Sequence, residues 1–200
     1  MNANIPVNAR VADHPVNEAF LGRWSPRAFT DATITEQDLQ GLLEAARWAP
    51  SAFNAQPWRF VYALRGDAAW DAVLGALMPF NQSWAQKAAA LVIVASETKF
   101  TAPGKTEASD NGSHAFDAGA AWAYLALQAH MAGWAAHAMA GFDKVAMAAA
   151  ISLPENHVLH AAVAIGKQGN PADLPEALQG REVPSPRHPV TATAFHGAFK

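Results

Sequence analysis

Residues Ala89–Ala95 read Ala-Ala-Leu-Val-Ile-Val-Ala, with no polar position among them. A strand with one wet face alternates, whereas a run that is apolar throughout is expected to be buried on both faces. The segment therefore predicts a central strand in a sheet covered by helices. Working outward, Leu159–Ile165 predicts a second buried strand, Trp58–Leu64 an aromatic and β-branched strand, and His137–Gly141 a short one. Thr35 is a good N-cap with Asp38 three residues on, and Leu39, Leu42, Leu43 and Ala46 then share one helical face up to Pro50. Ala68–Met78 predicts a helix closed by Pro79, and Asp143–Leu153 one that stops at Pro154. Phe116–Gly133 is apolar nearly all round, which predicts a core helix. Residues 99–114 read as a long polar loop, residues 1–20 as a loose lead-in, and the proline-rich tail 167–200 as a segment running extended over a surface. No repeat or internal linker divides the chain, so residues 1–200 are expected to form a single α+β domain.

Composition narrows the function classes. Of the 200 residues 51% are hydrophobic and 16% charged, and fourteen Lys+Arg against seventeen Asp+Glu leave a net charge of −3. That balance argues against intrinsic disorder and against a basic nucleic-acid surface. The absence of cysteine excludes disulfides, thiolate catalysis and Cys-ligated metal. The N-terminus lacks an apolar core of signal-peptide length, and Ala118–Leu127 is shorter than the roughly 20 residues that span a bilayer. A cytoplasmic protein with no membrane partner is expected. Seven Trp and ten Phe among so few charges fit either a well-filled core or a surface covered by a second subunit.

Several familiar sites are missing. No G-x-G-x-x-G follows a strand, Gly166-Lys167-Gln168-Gly169 lacks P-loop spacing, and no H-E-x-x-H occurs, so no metal site is expected. Two short segments carry more. In Arg23-Trp24-Ser25-Pro26-Arg27-Ala28-Phe29, two guanidinium forks flank a serine hydroxyl. Such groups suit phosphate and carbonyl oxygens, although an exposed basic turn reads the same way. In Pro50-Ser51-Ala52-Phe53-Asn54-Ala55-Gln56-Pro57-Trp58, hydroxyl and amide side chains sit in a bend that is too short and proline-locked to fold back on itself. They match the donor and acceptor edge of a heterocycle, or they cap a helix end.

Taken together, R-x-S-x-R-x-F, a capped helix and A-P-S-x-x-N-x-Q-P-W resemble the FMN-dependent nitroreductase family. Asn81, Phe116-Asp117-Ala118-Gly119, Met139-Ala140-Gly141-Phe142-Asp143, Ala164-Ile165-Gly166 and Pro184–Pro189 extend the likeness, in order, over roughly residues 20–200. The resemblance implies a three-layer sandwich, a central mixed or antiparallel sheet flanked by helices. It also implies a homodimer joined through helices and an extended C-terminal tail, with FMN at the interface. Arg23 and Arg187 would hold the FMN phosphate, Trp24 would give backbone contacts, Ser25 would bond the phosphate or ribityl chain, and Arg27 would sit near the flavin N1/O2 edge. Pro50, Ser51, Ala52 and Asn54 would come from the partner subunit, with Gln56 nearby. Asn81 would contact the ring edge, and Ala140 and Gly141 would place backbone groups near flavin N5. No side chain need act as a nucleophile, because the cofactor carries the chemistry.

The activity so implied is ping-pong hydride transfer from NADH or NADPH, through flavin N5, to a small-molecule acceptor: a nitroaromatic, quinone, enone or aldehyde. Two departures bear on it. Ala140 stands where some members carry an acidic residue, and Trp84 about where some carry a lysine. Other readings remain open: a flavin-binding module without turnover, a relative that oxidises a dedicated substrate, and a structural α+β domain.

Overall fold

The computed structural model describes residues 6–199; residues 1–5 of the expected lead-in and residue 200 of the tail lie outside the described residues. In chain order the regular elements are α1 (Glu18–Gly22), α2 (Glu36–Arg47), β1 (Trp58–Leu64), α3 (Trp70–Gly75), α4 (Pro79–Ala85), β2 (Ala90–Glu97), β3 (Lys99–Phe100), β4 (Ser109–Asp110), α5 (His114–Met131), β5 (Ala135–Met139), α6 (Lys144–Ala150), β6 (His157–Gly166) and α7 (Glu176–Gln179). The main sheet has four strands in the order β1-β2-β6-β5, every neighbouring pair antiparallel.

The unbroken apolar run in β2 has the expected consequence. Leu91 and Ile93 point into one core with Trp70, Val73, Trp84, Met147 and Leu178 of α3, α4, α6 and α7. Val92 and Val94 point into the other, with Leu39, Leu42 and Leu125 of α2 and α5. In β6, Ala162 and Ala164 face the first core and Val163 and Ile165 the second. Helices therefore cover both faces, and the architecture is a three-layer α+β sandwich. Each fully buried leucine such as Leu39 or Leu125 contributes about 1.5–3 kcal/mol through removal from water.

Local signals set the boundaries. The Thr35 hydroxyl accepts from the Asp38 amide at 3.0 Å and donates to the Asp38 carboxylate at 2.8 Å, closing the start of α2. Asp143 caps α6 by accepting from the Val145 and Ala146 amides.

The structure departs from the sequence reading in five places. Pro79 does not merely end a helix; it opens α4 at the first helical position, where its missing N–H is no loss. The polar segment 99–114 contains a small antiparallel ladder, β3 with β4. The described part of the lead-in, residues 6–20, is not loose. It ends in α1, and Asn8 donates to the Leu21 carbonyl while Asp13 accepts from the Val190 amide of the tail. The tail itself contains α7 and two single 3-10 turns, Pro171–Asp173 and Val190–Ala192. Finally, α5 is a core helix on one side only: Ala118, Ala121, Leu125 and Ala129 are buried, but Phe116 is 83% exposed and Tyr124 44%.

Candidate functional site

The arginine-rich stretch Arg23–Arg27 runs extended out of α1 and lies against β5 and the second half of α5. Gly22 lies at that contact: a Cβ there would come within 2.5 Å of His130 Nε2, so a larger residue would make the His130 ring move aside. Arg23 Nη1 donates to Ser25 Oγ at 3.2 Å. Both side chains line a cleft of about 620 Å³ whose other walls are Phe20, Trp122, Tyr124, Leu127 and Ala138. Trp24 faces a neighbouring cleft with Ala126, His130 and Trp134.

Arg23 is not alone. Burial first, and then the nearby Arg187, push its guanidinium below the ordinary arginine range. Arg10 is pushed down in the same way by burial, Arg187 and Arg23. The Arg10 side chain donates to the Arg23 carbonyl at 2.6 Å and the Ser185 carbonyl at 2.8 Å, tying the two segments together. Among the described residues no carboxylate lies within ion-pair distance of these three arginines. A cluster of cations with no carboxylate among its described neighbours is chemically suited to an anion.

Arg27 is placed differently. Its amide and that of Ala28 donate to Glu182 Oε1 at 2.6 and 2.8 Å, and its Nη1 lies 3.9 Å from Glu182 Oε2. Glu182 is 1% exposed. Arg27 Nε and Glu182 Oε2 are nevertheless buried without a hydrogen-bond partner, polar capacity that a ligand could use. Arg27 opens on a separate cleft of about 430 Å³ with Ser83 and Trp84 of α4. Trp84 is buried beneath it, its ring 4.7 Å from that of His137 and 6.1 Å from that of Phe29. Trp84 thus fills core volume. His137 Nδ1 lies 3.1 Å from the Pro26 carbonyl. Burial above all, and then the Arg27 charge, hold the His137 imidazole down at about 4.

Asn81 of α4 and Gly141 meet. The Asn81 amide donates to the Gly141 carbonyl at 2.9 Å, and a Cβ on Gly141 would sit 2.7 Å from Asn81 Nδ2. Asn81 itself occupies the space beside the glycine, so the small residue is needed for this contact. Ala140, next to it, is exposed.

The Pro50–Pro57 bend does fold back on itself, contrary to the sequence reading. Ser51 Oγ accepts from the Gln56 amide at 3.0 Å, and the Gln56 side chain donates to the Asn54 carbonyl. Phe53, Asn54 and Gln56 all take positive φ, 53°, 53° and 48°. For non-glycine residues this conformation costs on the order of 1–3 kcal/mol each and accumulates at functional sites. The Ala52 amide donates to the buried Asp117 carboxylate near the start of α5. Pro50, Phe53 and Asn54 are left exposed, and Phe53 stacks on Phe100 at 5.8 Å.

Within one chain, then, Arg23, Ser25 and Arg187 come together, as do Asn81 and Gly141, while the bend stands apart. It is anchored at Asp117, and the Arg23 segment near His130. Thirteen residues of helix separate those anchors, about 20 Å of rise.

Arg10, Asp117 and Glu182 escaped the sequence reading as site residues. Arg10 and Glu182 lie in segments without periodicity and act across 11 to 175 positions of sequence. The only available signal was the arginine itself. Among the described residues no group of three or more His, Cys, Asp or Glu could hold a metal ion, and no helix is long and apolar enough to cross a membrane.

Known proteins are similar to this chain over most of its length. A family model described as the nitroreductase family matches residues 21–167. A crystal structure described as an oxidoreductase containing FMN is 42% identical and superposes with a TM-score of 0.93, over 97% of this chain and 98% of that one. A protein of Rhodopseudomonas palustris (strain TIE-1), provisionally named NADH dehydrogenase/NAD(P)H nitroreductase, is 29% identical over 155 residues, 70% of this chain and 79% of the relative. An oxygen-insensitive NADPH nitroreductase of Helicobacter acinonychis (strain Sheeba) is 36% identical over 64 residues, 32% of this chain and 30% of its own length.

Proposed function

The chain belongs to the nitroreductase family, and from that premise we propose that it is an FMN-dependent oxidoreductase acting as a homodimer. The observation that carries the reading is the arginine cluster without a counter-ion beside a 620 Å³ cleft. Three features of the chain fit the cofactor. Arg23 and Arg187 offer guanidinium donors to a phosphate, with the Ser25 hydroxyl beside them. The unpartnered Arg27 Nε is a buried donor fit for a carbonyl or ring nitrogen. Asn81 and Gly141 hold each other, the Asn81 amide donating to the Gly141 carbonyl and filling the space that a side chain there would take.

When bound, FMN supplies two half-reactions, hydride transfer from NADH or NADPH to flavin N5 and then reduction of a nitroaromatic, quinone, enone or aldehyde. The protein's own part is to bind, orient and polarise. Arg23, Ser25 and Arg187 hold the phosphate end, and Trp24 contributes backbone contacts. Arg27 supplies a fixed cation at the N1/O2 edge, steadied by Glu182, which also offsets part of its charge. Asn81, Ala140 and Gly141 serve the ring edge and its N5 side.

Pro50, Ser51, Ala52, Asn54 and Gln56 act on the other subunit's cofactor. Their separation from Arg23 along α5, and the strained, outward-facing bend, support that division. The uncovered apolar side of α5, with Phe116 and Tyr124, supplies a surface for the second copy. A cytoplasmic location belongs to the same proposal. The test is the visible absorbance of the purified protein and its bleaching by NADH or NADPH. A yellow protein that bleaches under either, and recovers with a quinone or nitroaromatic, supports the reading. A yellow protein that neither nucleotide bleaches would instead be a flavin carrier or a relative with a dedicated reductant.

A further inference from the structure

We propose that Arg10, delivered by the segment ahead of α1, is a third cation of the phosphate site. The proposal rests on the FMN reading above and adds to it a residue outside the R-x-S-x-R motif and outside the tail.

The geometry is specific. Arg10 Nε donates to the Ser185 carbonyl at 2.8 Å, two residues before Arg187. Its Nη1 donates to the Arg23 carbonyl at 2.6 Å and to that of Leu21 at 3.2 Å. One guanidinium therefore joins the lead-in, the Arg23 segment and the C-terminal tail. Its second terminal nitrogen, Nη2, makes no hydrogen bond to the described residues. Arg10 and Arg187 also share the wall of a pocket of about 310 Å³ with Phe20, Leu21, Pro184 and Pro186.

Electrostatics points the same way. Arg187 lowers the affinity of both Arg10 and Arg23 for their protons, and Arg23 lowers that of Arg10. Like charges gathered in partly dry surroundings repel, and the carbonyls that hold Arg10 are dipoles, which offset only part of that repulsion. A dianionic monophosphate relieves it, and a neutral ribityl end does not. Arg10 should therefore sharpen the choice of FMN over its dephosphorylated form, riboflavin, which carries the same ring.

The experiment titrates the full-length apoprotein with FMN and, separately, with riboflavin, following flavin fluorescence, for the wild type, Arg10→Ala and Arg10→Lys. The expected result for Arg10→Ala is a rise of about 10-fold or more in the FMN Kd, as for a lost charge-assisted contact. Its riboflavin Kd should stay within about twofold of the wild type, because no charged contact is lost there. Arg10→Lys, which keeps the charge, should recover most of the preference for FMN. An unchanged ratio of FMN to riboflavin affinity in Arg10→Ala overturns the proposal. So does an equal loss for both flavins, or a lysine variant as poor as the alanine one, either of which reduces Arg10 to a structural strut. A wild type that binds neither flavin refutes the FMN reading itself, and the proposal with it.

Discussion

Arg23 and Arg27 lie four positions apart in one extended segment, yet the fold gives them opposite surroundings. Arg23 is gathered with Arg10 and Arg187, and its only side-chain partner among the described residues is a neutral hydroxyl. Arg27 sits over a buried carboxylate that also accepts two backbone amides. The first arrangement leaves positive charge to spend on a ligand. The second fixes one guanidinium in place and offsets part of its charge. In the proposed reading, identical residue types in one motif thus divide the work, one as an anion anchor and the other as a positioned charge against a ring.

The difference can be broken most forcefully from the Glu182 side. Glu182→Ala removes the acceptor of two amides and leaves Arg27 without its counter-charge. Loss of one partner of a buried pair costs about 3–5 kcal/mol, so urea unfolding should show a loss of that size. A change below about 1 kcal/mol would match a surface pair and contradict the burial argument.

The next effect is a pH dependence. His137 is held at about 4 in the folded chain against 6.5 when unfolded, by burial and then by Arg27. The unfolded chain takes up the proton first, so stability is full above 6.5 and falls as the pH drops from 6.5 towards 4. The loss is on the order of 3 kcal/mol over that window. Unfolding midpoints at neutral and acid pH check it, and His137→Gln should flatten the profile. NMR titration of Arg27→Ala sharpens the comparison, because the imidazole should then titrate at a higher pH.

On the other side, Arg23→Ala should weaken FMN retention by about 1.5–3 kcal/mol while leaving the unfolding of the apoprotein nearly unchanged. Equal losses in both would make Arg23 a structural residue like Glu182. The smallest effect belongs to Arg27→Ala. Glu182 keeps its two amide donors there, so the fold should survive. Stopped-flow reduction by NADH or NADPH should slow by about tenfold, or about 1.4 kcal/mol of barrier, and an unchanged rate would remove Arg27 from the chemistry.

Much of this was legible along the chain. Trp58–Leu64 emerges as β1 with the predicted bounds, and Thr35 caps α2 as expected, because both signals are local. The unbroken run at Ala89–Ala95 announced burial on both faces before any partner was known. Pro79 misled because a proline that cannot continue one helix is equally suited to begin another. Apolarity all round α5 predicts burial, and an interface satisfies that pattern as well as a core does. At the site, the motif arginines were visible as residue types, but their division into anchor and paired cation was not. It depends on Glu182, 155 positions from the Arg27 amide it binds, and on Arg10, 13 from the Arg23 carbonyl it holds. Only the fold could bring those together.

The central claim is that each site combines Arg23 of one chain with the strained bend of another. Co-expression of Arg23→Glu and Asn54→Asp chains, each of which should lose FMN as a homodimer, tests it directly. Their heterodimer should regain one FMN per pair of chains, because one of its two sites then carries neither substitution. A heterodimer as empty as its parents would show that both segments serve the same chain's cofactor, and would contradict the account.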